Sequence, residues 1–236
     1  MSFMRGTLLL SLVVLMVSCA APSRVGFDHY APGNLAVGSG QGLRDDTVYV
    51  PDMRFPLERA PAFLNSQVYR PGGMNGGAGG QCAASNYSFP WRDNFCETRS
   101  WDTPLCPSGK GHQGQDIRPA SCTDALYWAV AAADGWVQNV GRFTATLAGT
   151  DGRIYRYLHL KMNDLAVAVG QNVRKGDRIG KVSNDFGGTP TTIHLHFEIL
   201  QNIQGPGGAV IQPVPPYMSL VRAYEALTGD AAREIS

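Results

Sequence analysis

No run of lysine or arginine occurs in the 236 residues, and 20 basic side chains are matched by 19 acidic ones, for a formal charge of +1. Charge so even leaves no basic surface for a nucleic-acid backbone, and that partner class is set aside. Beyond the first eighteen residues no apolar stretch is long enough to cross a bilayer. There is no internal repeat. Cysteine is sparse, and the separations between its five copies lack the short paired spacing of a structural zinc site. What remains is roughly two hundred residues, enough for one domain with its own core.

The amino terminus carries Arg5, an apolar run from Gly6 to Ser18, and then small residues, the layout of a secretory signal. The run falls short of the ~20 residues a spanning helix needs. Its end, Met16-Val17-Ser18-Cys19-Ala20, resembles a bacterial lipobox with methionine in place of the usual leucine, which makes Cys19 the lipidated first residue of the mature chain. Ordinary cleavage near Ala20 or Ala21 is the alternative, and it discards Cys19. Ala20 stands where an aspartate would retain a lipoprotein at the inner membrane, so the expected address is the periplasmic face of the envelope, at the outer membrane. Either cleavage leaves Cys82, Cys96, Cys106 and Cys122 in an exported chain, which points to two disulfides. Sequential pairing, Cys82–Cys96 and Cys106–Cys122, is expected, because it closes the smallest loops, with the second bridge stapling the strand or loop that bears His112 and Asp116.

The chain divides into a signal (1–18), a tether (19–53), a folded domain (54–205) and a C-terminal extension (206–236). The tether reading rests on Gly, Ser, Ala and Pro between Ala20 and Thr47; a strap across the domain is the alternative, because of Val48, Tyr49 and Val50. From Pro71 to Gly80 the chain is too glycine-rich for helix or strand. That stretch opens a polar and aromatic insertion, 72–108, with Trp91, Trp101 and three of the cysteines. After Ala129, short strands alternate with glycine turns. The candidates are Trp136–Val140, Phe143–Leu147, Ile154–Leu158 and Ala166–Val169, with a hairpin turn at Thr150–Arg153. Leu220, Val221, Tyr224 and Leu227 recur at helical spacing ahead of Gly229, a C-cap. The fold class is therefore β-rich, all-β to α+β, with a C-terminal helix.

Four of the five histidines carry the chemistry. In Ile193-His194-Leu195-His196-Phe197-Glu198 the apolar residues alternate with polar ones, as on a half-buried strand, so His194 and His196 leave the same face about 6.6 Å apart. One metal does not accept both without distortion. His112 and Asp116 are four apart, but Gly111, Gly114 and Pro119 oppose a helix, and on an extended segment the pair still shares a face. His159 ends a run in which Tyr155, Tyr157 and His159 share one face. Each element alone is bland: a solvated pair, or a histidine bonded to a carbonyl. Imidazole and carboxylate donors suit zinc, and a catalytic zinc takes three protein ligands and leaves a place for water.

Together, His112-x-Gly114-x-Asp116, Tyr157-x-His159-Leu160 and His194-Leu195-His196-Phe197-Glu198 resemble the motifs of the M23 peptidases, the lysostaphin- and LytM-type zinc endopeptidases. Val169–Val173 and Lys175–Gly180 look like that family's glycine-turn signature, and the resemblance spans about Arg54 to Leu200. It implies a compact antiparallel β domain with a groove over a zinc ion. It makes His112, Asp116 and His196 the zinc ligands and His159 and His194 the catalytic pair beside them. Zinc lowers the pKa of a bound water to about 7 and polarises a carbonyl. The implied reaction is hydrolysis of a peptide bond in peptidoglycan, with D-alanyl–diaminopimelate cross-links favoured over glycine bridges. The insertion and the run Asn184–Pro190 depart from the family pattern, so the substrate preference does not transfer with the mechanism. Two other readings stand: a non-catalytic LytM-type lipoprotein that activates amidases, for which gaps in the ligand set are expected and none is seen, and a peptidase of protein substrates.

Overall fold

Alternation of apolar and polar side chains dictates the centre of the molecule. The computed structural model describes residues 26–236 except 71–72, 74–78 and 206. The expected signal, Cys19 and the first part of the tether lie outside the described residues, as does most of the glycine-rich stretch.

In chain order the strands are β1 (Phe27–Tyr30), β2 (Phe63–Leu64), β3 (Gln115–Arg118), β4 (Trp128–Val130), β5 (Gly135–Val140), β6 (Thr144–Gly149) and β7 (Ile154–Leu158). They continue with β8 (Leu160–Leu165), β9 (Asn172–Val173), β10 (Arg178–Val182), β11 (Leu195–Gly205) and β12 (Gly208–Val214), and end with helix α1 (Tyr217–Thr228) and β13 (Ala232–Ile235). The main antiparallel sheet runs β2-β3-β11-β7-β6-β5-β9, with β12 on the outer half of β11; β4-β10-β8 forms a second sheet. Leu195, Phe197 and Ile199 of β11 and Tyr155 and Tyr157 of β7 fill the core between these layers. The structure is β-rich with one C-terminal helix, as its composition and turns imply. Gly229 ends that helix in the left-handed region, φ 76°, donating its N–H to the Glu225 carbonyl.

Three expectations are corrected. Residues 26–53 are not a free tether: β1 pairs in parallel with β13, and Phe27, Val50 and Met53 are buried against the domain. The sequence hides this because the apolar residues are widely spaced among glycine and proline. The strand expected at Ala166–Val169 is replaced by β8, which begins directly after His159. There Gly180 of β10 lets the Leu160 and Leu165 side chains close over its backbone.

The disulfides are nested rather than sequential. Cys96–Cys106 closes a separation of 10 residues inside the 40-residue span of Cys82–Cys122. Loop entropy alone assigns them roughly 3 and 4 kcal/mol. The inner bridge lies against Gly111, immediately before His112, and the outer one ties the start of the insertion to the loop that follows β3.

The insertion is built into the core. Trp91 is fully buried, donates its indole N–H to the Ala62 carbonyl at 2.8 Å, and packs its ring 4.7 Å from Phe27 and 4.6 Å from Tyr224. One aromatic cluster thus joins the N-terminal strap, the insertion and helix α1. Trp91→Ala should lower stability by about 3–5 kcal/mol in chemical denaturation. A loss below ~1 kcal/mol would show that the insertion folds independently of the core.

Candidate metal centre

Register brings the first two donors together. Antiparallel pairing sets His196 of β11 directly opposite Asp116 of β3, with Leu195 facing Ile117 and Phe197 facing Gln115. Opposite residues share a face, so the imidazole and the carboxylate meet on the side away from Leu195, Phe197 and Ile117. His196 Nδ1 lies 3.0 Å from Asp116 Oδ1. His112 precedes β3, clipped to the insertion by two backbone bonds: its N–H to the Glu97 carbonyl and the Cys96 N–H to its own carbonyl. Its Nε2 lies 3.3 Å from the same Asp116 oxygen. Gly114, between them, passes so close to β11 that a Cβ there would sit 2.9 Å from His196 Nε2 and closer still to the Phe197 carbonyl.

His159 reaches the site by an irregularity. Had the alternation of β7 continued, its side chain would enter the core beside Tyr155 and Tyr157, as the shared-face reading expects. Instead His159 adopts φ 66°, between the end of β7 and the start of β8. A non-glycine residue in the left-handed region costs about 1 kcal/mol and persists only where its surroundings enforce it. The turn sets the His159 ring 4.7 Å from that of His194 and 6.1 Å from that of His196. Ser183 ties the first pair together: its N–H donates to the His159 carbonyl and its carbonyl accepts from the His194 N–H.

Each of the four rings is held from behind. His112 Nδ1 donates to the Asn94 carbonyl at 2.9 Å, His159 Nδ1 to the Asp185 carbonyl at 2.9 Å, and His194 Nδ1 to the Thr192 carbonyl at 2.8 Å. His196 is reversed, with Nε2 donating to Glu198 Oε1 at 2.9 Å. Such contacts fix tautomer and orientation, and leave the opposite nitrogen of each ring available. Asn94 serves the carboxylate too, donating its side-chain amide to Asp116 Oδ2 at 2.7 Å and accepting the Asp116 N–H at 3.1 Å. Glu198 is in turn paired with Arg156 at 2.7 Å. Sequence reasoning named Glu198 only as part of a motif and missed Asn94, which lies in the insertion with no local signal around it.

The electrostatics call for positive charge at the centre. Burial raises the Asp116 carboxyl, but the facing His112 and His194 rings outweigh it and hold its pKa well below the usual range. Burial lowers His196, yet hydrogen bonds to Asp116 and Glu198 reverse this and lift it to about 9. Burial lowers His112, and depresses His159 well below its ordinary value, with His194 and His196 adding to the effect.

Among the described residues, His112, Asp116 and His196 form a cluster whose donor atoms lie within 4.8 Å of one another. Ligands about 2.0–2.1 Å from a tetrahedral ion are separated by about 3.3 Å, close to the 3.3 and 3.0 Å between these donors. The residues present therefore fit zinc. His194 Nε2 approaches Asp116 Oδ1 to 3.4 Å but stands outside the cluster. Asn94→Ala and Glu198→Gln should each lower zinc affinity about 10- to 100-fold, measured by competition with a chromogenic chelator. Wild-type affinity in both would mean that the backing contacts do not tune the site.

Residues 110–208 match the model of peptidase family M23. Among solved structures, a glycyl-glycine endopeptidase candidate, lytM, from Ruminococcus gnavus is 25% identical over 53% of this chain and 51% of its own, with a TM-score of 0.42. The catalytic domain of lysostaphin from Staphylococcus simulans is 22% identical over 58% of this chain and 93% of its own, with a TM-score of 0.40. A zinc-containing peptidase from Vibrio cholerae is 25% identical over 44% of this chain and 29% of its own, with a TM-score of 0.32. The chain thus spans about half the length of the first and less than a third of the last.

Proposed function

We propose, from the match of residues 110–208 to the model of peptidase family M23 and from the site's geometry, that the chain is a zinc-dependent endopeptidase of peptidoglycan peptides. The convergence of His112, Asp116 and His196 carries this reading. His112 Nε2, Asp116 Oδ1 and His196 Nδ1 would hold the ion. When bound, zinc supplies a Lewis acid and a water acidic enough to be hydroxide near neutral pH.

The rest of the chemistry belongs to side chains. With Nδ1 committed to the Asp185 carbonyl, His159 keeps Nε2 free, and burial keeps the ring neutral. His194 is held likewise by the Thr192 carbonyl, with its Nε2 turned toward Asp116 Oδ1 at 3.4 Å. One of these nitrogens takes a proton from the attacking water and, once protonated, donates to the developing oxyanion and passes that proton to the leaving amine, while the other orients the water. Asp116 and His196 sit on paired strands, which favours reproducible placement of a substrate.

The compartment belongs to the same proposal. Substrate in the cell wall requires export, which the apolar run from Gly6 to Ser18 provides, and Cys19 serves as a lipid anchor that keeps the domain at the periplasmic face of the outer membrane. Two disulfides among the described residues suit an oxidising compartment.

Purified mature chain incubated with muropeptides should release cleaved stem peptides, identified by mass spectrometry. Asp116→Ala and His196→Ala should lose bound zinc and all turnover. His159→Ala and His194→Ala should keep zinc but lose roughly 10²- to 10⁴-fold in rate. Retained turnover in either of the latter would refute the assigned roles.

A further inference from the structure

An aromatic pair flanks His159 on the side of the site away from the insertion. In the main sheet β3 stands on one side of β11, and β7 and then β6 stand on the other. Phe143 immediately precedes β6, and its carbonyl accepts the His159 N–H at 3.2 Å. Phe186, from the run Asn184–Pro190, lays its ring 4.8 Å from that of Phe143 and 5.3 Å from that of His159. It is nevertheless 41% exposed, so the rest of the ring faces solvent beside the site.

The ring is held in place from both sides. Asp185 accepts on two atoms, its carbonyl from His159 Nδ1 at 2.9 Å and its carboxylate from the Met162 N–H at 3.0 Å. After Phe186, the Gly187 carbonyl accepts a hydrogen bond from the Arg142 guanidinium. Gly187 takes φ 65°, and a Cβ there would sit 3.2 Å from the Phe143 ring. The Asn184 carbonyl accepts the Thr191 N–H at 2.9 Å and closes the run at its base. A single exposed apolar residue is ordinary and calls for no explanation. Phe186 differs because the loop that carries it also orients His159, so whatever His159 acts on meets Phe186 as well. Consecutive Cα atoms are about 3.8 Å apart, which puts the ring within one residue of a bond held at His159.

We propose that Phe186, backed by Phe143, is a specificity determinant: an apolar wall that receives the aliphatic side chain of a residue flanking the scissile bond. The proposal rests on the peptidase reading of the adjacent site. Alanine offers the wall a methyl group and glycine offers nothing, so alanyl bonds are favoured over a glycine bridge. The run Asn184–Pro190 is one of the two places where the sequence departs from the family pattern, so the preference belongs to this chain.

The test titrates N-acetyl tetra-D-alanine amide and N-acetyl tetraglycine amide into the zinc-loaded full chain, followed by NMR. The alanine peptide should bind about fourfold more tightly, the worth of one buried methyl group. Phe186→Ala should bring the two affinities together, and Phe186→Leu, which keeps an apolar wall, should preserve the difference. Zinc affinity, by competition with a chelator, should stay at its wild-type value in both variants. Equal binding of the two peptides by the wild type, binding of neither, or a preference that survives Phe186→Ala overturns the proposal. So does a preference lost only together with zinc, which would make the loop a prop for the metal site. A wild-type chain that shows the preference yet leaves muropeptides uncleaved would instead overturn the peptidase reading alone.

Discussion

One carboxylate oxygen organises the site. Asp116 Oδ1 is approached by His112 at 3.3 Å, His194 at 3.4 Å and His196 at 3.0 Å, so three imidazoles from two stretches of chain converge on a single atom. That convergence is set by the β3–β11 register, which the core enforces. A slip of one residue would turn Leu195 and Phe197 toward the site and His196 and Glu198 into a core shared with Ile117 and Tyr157. An aliphatic side chain and an aromatic one would leave the core as two ionisable groups entered it. The free energy that buries the core therefore also positions the metal donors.

Behind the donors stands a frame recruited from outside the central sheet. Asn94 touches the site through its carbonyl, its side-chain oxygen and its side-chain nitrogen, and Cys96 and Glu97 hold the backbone of His112. All three belong to the insertion, which is anchored by Trp91 in the aromatic cluster and closed by the Cys96–Cys106 bridge. The N-terminal strap enters the same cluster through Phe27. What reads in sequence as decoration and tether is thus the outer wall that fixes His112. Anything that loosens the cluster reaches the metal site through Asn94 rather than through the sheet.

The histidines and Asp116 were legible because their chemistry is rare in this chain and their spacing is local: a two-residue alternation on β11 and a four-residue spacing before β3. The helix ending at Gly229 and the hairpin between β6 and β7 were legible for the same reason, since each is coded by neighbouring residues. The errors fall where long-range contacts decide. Nesting of the disulfides depends on where the insertion folds back, the pairing of β1 with β13 joins the two ends of the described chain, and the inward turn of His159 depends on Phe143 and Ser183 holding a left-handed residue in place. None of these leaves a periodic trace. Asn94 escaped notice for a related reason: a single polar residue acquires a role only when folding surrounds it.

The backing contacts also bear on the choice between a hydrolase and a domain that merely docks on an enzyme. A docking module would not need Asp116, His194 and His196 buried together on one face of the sheet. Nor would it need His159 in a strained conformation at an energetic cost, or a separate acceptor holding each of four rings. Pre-organised rings with one nitrogen free are what proton transfer and metal ligation require. The left-handed turn at His159 is what sets its ring 4.7 Å from that of His194, where a continued alternation of β7 would have put it in the core.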